Sequence, residues 1–175
     1  MNRLFKPKAM WQTSLLLIAL TFGISSNGSA QSKQKNYKTK KIETSFNKEQ
    51  QKVLNTIEKM VSAFQNKDID GVLATYEEDA IVMFEPQKPV QGKKALRTFF
   101  TQFVQMNPRY TFSGHEVYIS GNLATHISPW KMVGQMPDGT KIEQNGLSIA
   151  ILRKQPDGNW LMIQDNPHGQ FLLNK

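Results

Sequence analysis

The chain has 175 residues, no cysteine and a formal charge of +8 at neutral pH. One domain with an ordinary core fits that length, and the lack of cysteine excludes disulfides, thiolate chemistry and cysteine-held metals. The first 41 residues carry eight basic and no acidic side chains, and the remainder carries 14 of each, so the neutral remainder, without a basic stripe, excludes nucleic acid as a partner of the folded part.

Met1 to Ala30 has the order of an export signal: Arg3, Lys6 and Lys8, an apolar run from Leu15 to Ile24, then Gly28-Ser29-Ala30. Cleavage is expected between Ala30 and Gln31, giving a periplasmic or secreted protein. The run is too short to span a bilayer, and no transmembrane helix is expected in the mature chain. Residues 31–46 are polar and lysine-rich and read as a disordered linker. A domain over 47–171 and a short tail over 172–175 follow.

Asn47 to Asn66 predicts a helix, capped by Asn47 with Gln50 as the reciprocal partner. Val53, Leu54, Ile57, Val61 and Phe64 form its apolar face, with Met60 beside it. Asp68 caps a short second helix, Ile69 to Tyr76. Asp79 to Glu85 reads as a strand ended by Pro86 and Pro89. A third helix, Lys93 to Gln105, carries Leu96, Phe99, Phe100, Phe103 and Val104 on one side, and Asn107-Pro108 stops it.

Strands follow. Tyr110 to Ser120 is one, broken near Gly114, and Leu123 to Gln135 is the next. Lys141 to Lys154 and Asn159 to Asp165 close the series. Pro137-Asp138-Gly139 and Pro156-Asp157-Gly158 are turns in which proline presets φ and glycine accepts a positive φ. Helices first and strands in a block afterwards predict an α+β fold, with three helices on one face of a curved, mostly antiparallel sheet.

The stretches Phe64-Gln65-Asn66-Lys67-Asp68-Ile69-Asp70-Gly71-Val72-Leu73, Tyr76 through Val82 and Val90-Gln91-Gly92-Lys93-Lys94-Ala95-Leu96 carry a resemblance. So do Arg153 through Trp160 and Asp165-Asn166-Pro167-His168-Gly169. In this order they resemble the nuclear-transport-factor-2-like superfamily, also called SnoaL-like or ketosteroid-isomerase-like, over roughly Lys48 to Phe171. The resemblance implies a cone-like domain enclosing a pocket, with the outer face of the sheet packed against a second subunit in a homodimer. Its members include isomerases, cyclases, dehydratases and non-catalytic modules, so fold alone does not settle function.

Steroid isomerisation needs a carboxylate base plus a tyrosine and a protonated aspartate facing the developing oxyanion. The matching positions here are Met60, Phe84 and Ile149 or Ala150, which cannot do that work. Other acid–base chemistry has three candidates. Asp165 is the first, since some cyclases of the superfamily use one pocket aspartate. Strand parity puts Leu161 and Ile163 on its face but does not say which face is inward. Glu85 is the second, if a bulge before Pro86 turns it inward. His126 is the third, on one strand face with Ser128 and Trp130.

Tyr76, Phe84, Phe100, Trp130, Asn145 and His168 are the expected ligand contacts. Leu147 follows Gly146 where related bacterial sequences often carry arginine, so an anion grip is missing there. His115, His126 and His168 have no metal-ligand spacing, and no cofactor is implied. The expected function is binding of a small apolar or amphipathic molecule. The alternatives are a cofactor-independent lyase, isomerase or cyclase, and a non-catalytic dimerisation module.

Overall fold

A computed structural model describes residues 45–174, which fall within one unit, Glu43–Lys175. The expected export signal and nearly all of the expected linker lie outside the described residues. Phe46, placed in that linker by composition, packs against the core. Among the described residues no helix is long and apolar enough to cross a membrane.

Helix α1 spans Lys48–Gln65 and starts where the sequence predicts. The Asn47 side chain accepts from the Gln50 backbone N–H at 3.0 Å, and the Gln50 side chain accepts from the Asn47 backbone N–H at 3.0 Å. This reciprocal cap satisfies donors that a helix N-terminus otherwise leaves unpaired. Val53, Leu54, Ile57 and Phe64 are buried along its inner face. Two hydrogen bonds then fix the helix on the sheet. Gln50 Nε2 donates to the Val117 carbonyl at 2.8 Å, and Thr56 Oγ1 donates to the Trp160 carbonyl at 3.0 Å.

Helix α2 is shorter than expected, Ile69–Leu73. Tyr76 begins the first strand rather than ending the helix: β1 covers Tyr76–Glu85. The prolines do not end the sheet either. Pro86 sits in a turn, and β2, Lys88–Gln91, pairs back onto β1 with Pro89 inside it. Proline is tolerated there because β2 is an edge strand. Helix α3, Lys93–Phe103, ends in a 3-10 turn at Val104–Met106.

The stretch read as one broken strand is two: β3, Arg109–Phe112, and β4, Glu116–Ser120. Both pair with β5, Leu123–Gln135, at its opposite ends. Strands β6, Lys141–Lys154, and β7, Trp160–Asn166, follow. Their turn has the expected chemistry: Gly158 takes φ 82° and the Asn159 N–H is held by Asp157 Oδ1 at 2.9 Å.

The curved, open sheet runs β2-β1-β7-β6-β5-β3, with β4 also on β5. All neighbours are antiparallel except β1 and β7, which are parallel. The first and last strands among the described residues therefore lie side by side. The core fills the space between this sheet and the helices, with Val53, Leu96, Leu152 and Met162 fully buried.

Candidate functional site

Two bulges border the interior, and the one in β7 decides which of its side chains reach it. In β6–β7, Ile151 pairs with Gln164 and Leu152 with Met162, so Ile163 has no partner. The extra residue resets the inside-out alternation. Trp160 and Met162 face the core, and Asp165, not Gln164, continues on that side. In β1–β2, Met83 pairs with Pro89 and Glu85 with Lys88, so Phe84 is the extra residue. The expected bulge is present, but Phe84 keeps the inward face of Ala80 and Val82, and Glu85 stays outside.

The result is a cavity of about 100 Å³. Helix α1 contributes Met60, Val61 and Phe64, and α3 contributes Phe100 and Phe103. The strands add Tyr76, Val82, Phe84, Tyr110, Phe112 and Trp130. The rings pack on each other: Phe64 meets Phe100 edge-on at 5.0 Å, and Phe84 lies 5.2 Å from Phe100.

Polar groups converge on this apolar space. Tyr76 Oη donates to Asp165 Oδ2 at 2.9 Å. Asp165 is half-buried as a residue because the cavity reaches it, while its carboxyl is enclosed by protein. Burial pushes that carboxyl up to about 6, although the Tyr76 hydrogen bond and the nearby His168 pull the other way. Burial and the same carboxylate raise the Tyr76 phenol well above its ordinary value, and Tyr110 is raised for the same two reasons. Both phenols are therefore O–H donors at any physiological pH, and the raised Asp165 carboxyl changes charge close to neutrality.

The segment after β7 closes one side. The Trp130 indole donates to the Pro167 carbonyl at 3.0 Å, and His168 Nε2 lies 3.2 Å from the Phe84 carbonyl. The Gln170 side chain accepts from the Leu147 N–H at 2.8 Å. A Cβ on Gly146 would lie 2.7 Å from the Pro167 carbonyl, so only glycine allows this crossing without displacement.

Asp165, Tyr76, Phe84, Phe100, Trp130 and His168 thus line one cavity. Three other candidates lie elsewhere. Glu85 is exposed and pairs with Lys88. Asn145 is exposed on β6, and its neighbour Gln144 lines the cavity instead. His126 shares a buried face of β5 with Ser128 and Trp130, but it does not line the cavity, and its Nε2 lies 2.9 Å from His115 Nδ1. Burial, helped by His115, lowers His126 to about 4. Its other ring nitrogen has no partner among the described residues.

Sequence reasoning missed Tyr110 and Ser148 as lining groups. A tyrosine opening a strand next to Trp130 was the available signal for the first. The positions matching the steroid isomerase's tyrosine and base are Met60 and Phe84, and both line the cavity without a functional group.

The model of the SnoaL-like domain matches residues 57–161, more than half of the chain. The chain belongs to the SnoaL-like family. No curated protein matches it. Among solved structures, this SnoaL-like domain is similar to a ketosteroid isomerase-like protein from Erwinia carotovora atroseptica, with 22% identity and a TM-score of 0.60. That match covers 69% of this chain and 95% of the other. A nuclear-transport-factor-2-like protein of unknown function from Pseudomonas putida is 20% identical, with a TM-score of 0.57, over 67% of this chain and 83% of the other. A cystatin-like-fold protein of unknown function from Nostoc punctiforme is 18% identical, also at 0.57, over 67% and 88%. At these identities the structural likeness concerns the fold alone, which commonly forms ligand pockets and also hosts isomerases and dehydratases.

Proposed function

We propose that the SnoaL-like domain binds a small, largely apolar molecule, held through one polar group by Tyr76 and Asp165. The observation that carries this reading is a cavity walled by aromatic rings whose hydrogen-bonding groups include that pair at 2.9 Å. Apolar walls with a few convergent polar groups are what small-molecule sites generally have. Calorimetric titration of the protein with small cyclic ketones and alcohols tests it, with Phe84→Trp as the blocked control. Binding lost in Phe84→Trp supports the reading; no binding by the parent protein refutes it.

A second reading is favoured by one observation, the upward shift of Asp165 to about 6. A carboxyl with that value exchanges protons readily near neutral pH, and a tyrosine beside it supplies a donor for a developing oxyanion. In this reading the domain is a lyase, isomerase or cyclase with Asp165 as general acid–base. Asp165→Asn then abolishes turnover of a bound compound while keeping its affinity within a few fold.

Two further parts of the proposal concern setting. The composition of Met1 to Ala30 supports export to the periplasm or beyond. The outer sheet face supports a homodimer: Ile127, Ile149 and Ile151 lie there half-exposed on paired strands β5 and β6. The helices would then close the inner face as a cone, away from the partner. Sedimentation of the protein and of Ile149→Lys checks this; a parent monomer contradicts it.

A further inference from the structure

The cavity is too small for most metabolites. About 100 Å³ is below the roughly 150 Å³ of an apolar cavity that holds benzene. Any larger ligand of the proposed site must extend past its walls. Three wall residues, Val61, Tyr110 and Phe112, have a second surface: they also line a groove of about 340 Å³ on the other side. The cavity and the groove thus share these side chains as a common wall, and rotation of such side chains is the motion that would join them.

The groove differs chemically from the cavity. It follows α1 past Glu58, Ser62 and Gln65, with His115 and Arg109 opposite. Arg109 Nη1 donates to Gln65 Oε1 at 3.0 Å, and among the described residues the guanidinium makes no ion pair. Gln65 is thus a neutral holder that leaves the charge of Arg109 uncompensated. Glu58 is seven positions from Gln65 on the helix, about 10 Å along its axis, and so marks the opposite end of the groove. Burial lowers the His115 ring, which leaves it neutral at neutral pH. The Arg109 end is therefore the positive end.

We infer that the full ligand is an anionic amphiphile, whose apolar end fills the cavity and whose carboxylate, or like anionic head, reaches Arg109 past Tyr110 and Phe112. This rests on the proposed binding function and specifies its ligand class. It also supplies, from β3, the anion grip that position 147 lacks. A planar guanidinium suits a carboxylate through paired charge-assisted hydrogen bonds.

The test uses the protein, its Arg109→Gln variant and two probes of equal length, decanoate and 1-decanol, titrated below their micellar range. The parent is expected to bind decanoate at least tenfold tighter than decanol, and Arg109→Gln to remove that preference while leaving decanol unchanged. Arg109 is exposed, so folding should survive, and circular dichroism verifies it. Decanol binding without a decanoate preference, or a preference that persists in Arg109→Gln, overturns the inference and leaves the cavity reading standing. Binding of neither probe overturns the inference; if small ketones and alcohols also fail, the cavity reading falls with it.

Discussion

Tyr76 and Asp165 are separated by 89 positions in the chain and by 2.9 Å in the fold. The contact exists because β1 and β7 run parallel, with Val82 opposite Asp165. Burial at this position, only partly offset by the Tyr76 hydrogen bond, raises the Asp165 carboxyl, and its pH behaviour follows from that.

Asp165→Asn should stabilise the protein at pH 8 and do little at pH 4. The folded carboxyl titrates near 6, against an ordinary 3.8. The folded state holds the proton better, so the stabilising contribution is complete below about 4 and is lost as pH rises through 6. Two pKa units correspond to about 3 kcal/mol. Urea denaturation at both pH values measures it. An equal effect at pH 4 and pH 8 would show that burial does not raise this carboxyl.

His126 gives the opposite slope. Its folded value is about 4 against an ordinary 6.5. The unfolded state binds the proton first, so its contribution is complete above about 6.5 and is lost as pH falls through 4. Between those limits the two groups largely cancel in the parent protein. His126→Leu should therefore change stability at pH 8 by no more than about 1 kcal/mol, and gain roughly 2–3 kcal/mol relative to the parent at pH 4.5. The same denaturation series decides it.

Gly146→Ala should cost about 1–3 kcal/mol, because the added Cβ meets the Pro167 carbonyl and the Gln170 side chain. The displacement moves Pro167 and His168, which line the cavity, so ligand affinity should fall too. Gly114→Ala is the control: a Cβ there meets nothing within 4 Å. Thermal melts of both variants suffice, and equal losses would contradict the crossing.

Phe100→Ala should cost about 3–5 kcal/mol. Phe100 is 2% exposed and packs against Phe64, Tyr76 and Phe84. It joins α3 to the cavity, so the variant should also admit larger ligands if it folds. Chemical denaturation and a ligand-size series test the two effects.

Local signals were legible wherever neighbours in sequence decide the outcome. The Asn47–Gln50 cap, the aromatic face of α3, the turns at Gly139 and Gly158, and the bounds of β5 and β6 all have short-range causes. What escaped depends on partners far away. Pro89 sits in a strand only because β2 is an edge. Tyr76 joins β1 rather than α2 because its backbone pairs with Met162. The bulges at Phe84 and Ile163 are set by register with β2 and β6; Pro86 signals the first, and no residue in β7 announces the second. Asp165 was legible as a candidate, but its inward direction was not, since parity fails across a bulge.

The position of β7 between β1 and β6 constrains the order of assembly. Until β7 is in place, β1 and β2 form a hairpin with no sheet to join, and Tyr76 lacks both its backbone partner Met162 and its side-chain partner Asp165. Such long-range closure is slow compared with local pairing. A nascent chain stopped before Trp160 would therefore carry two unjoined sheet fragments with open edges, the form most exposed to aggregation. Addition of β7, Trp160–Asn166, is thus the step that turns an association-prone chain into a folded domain.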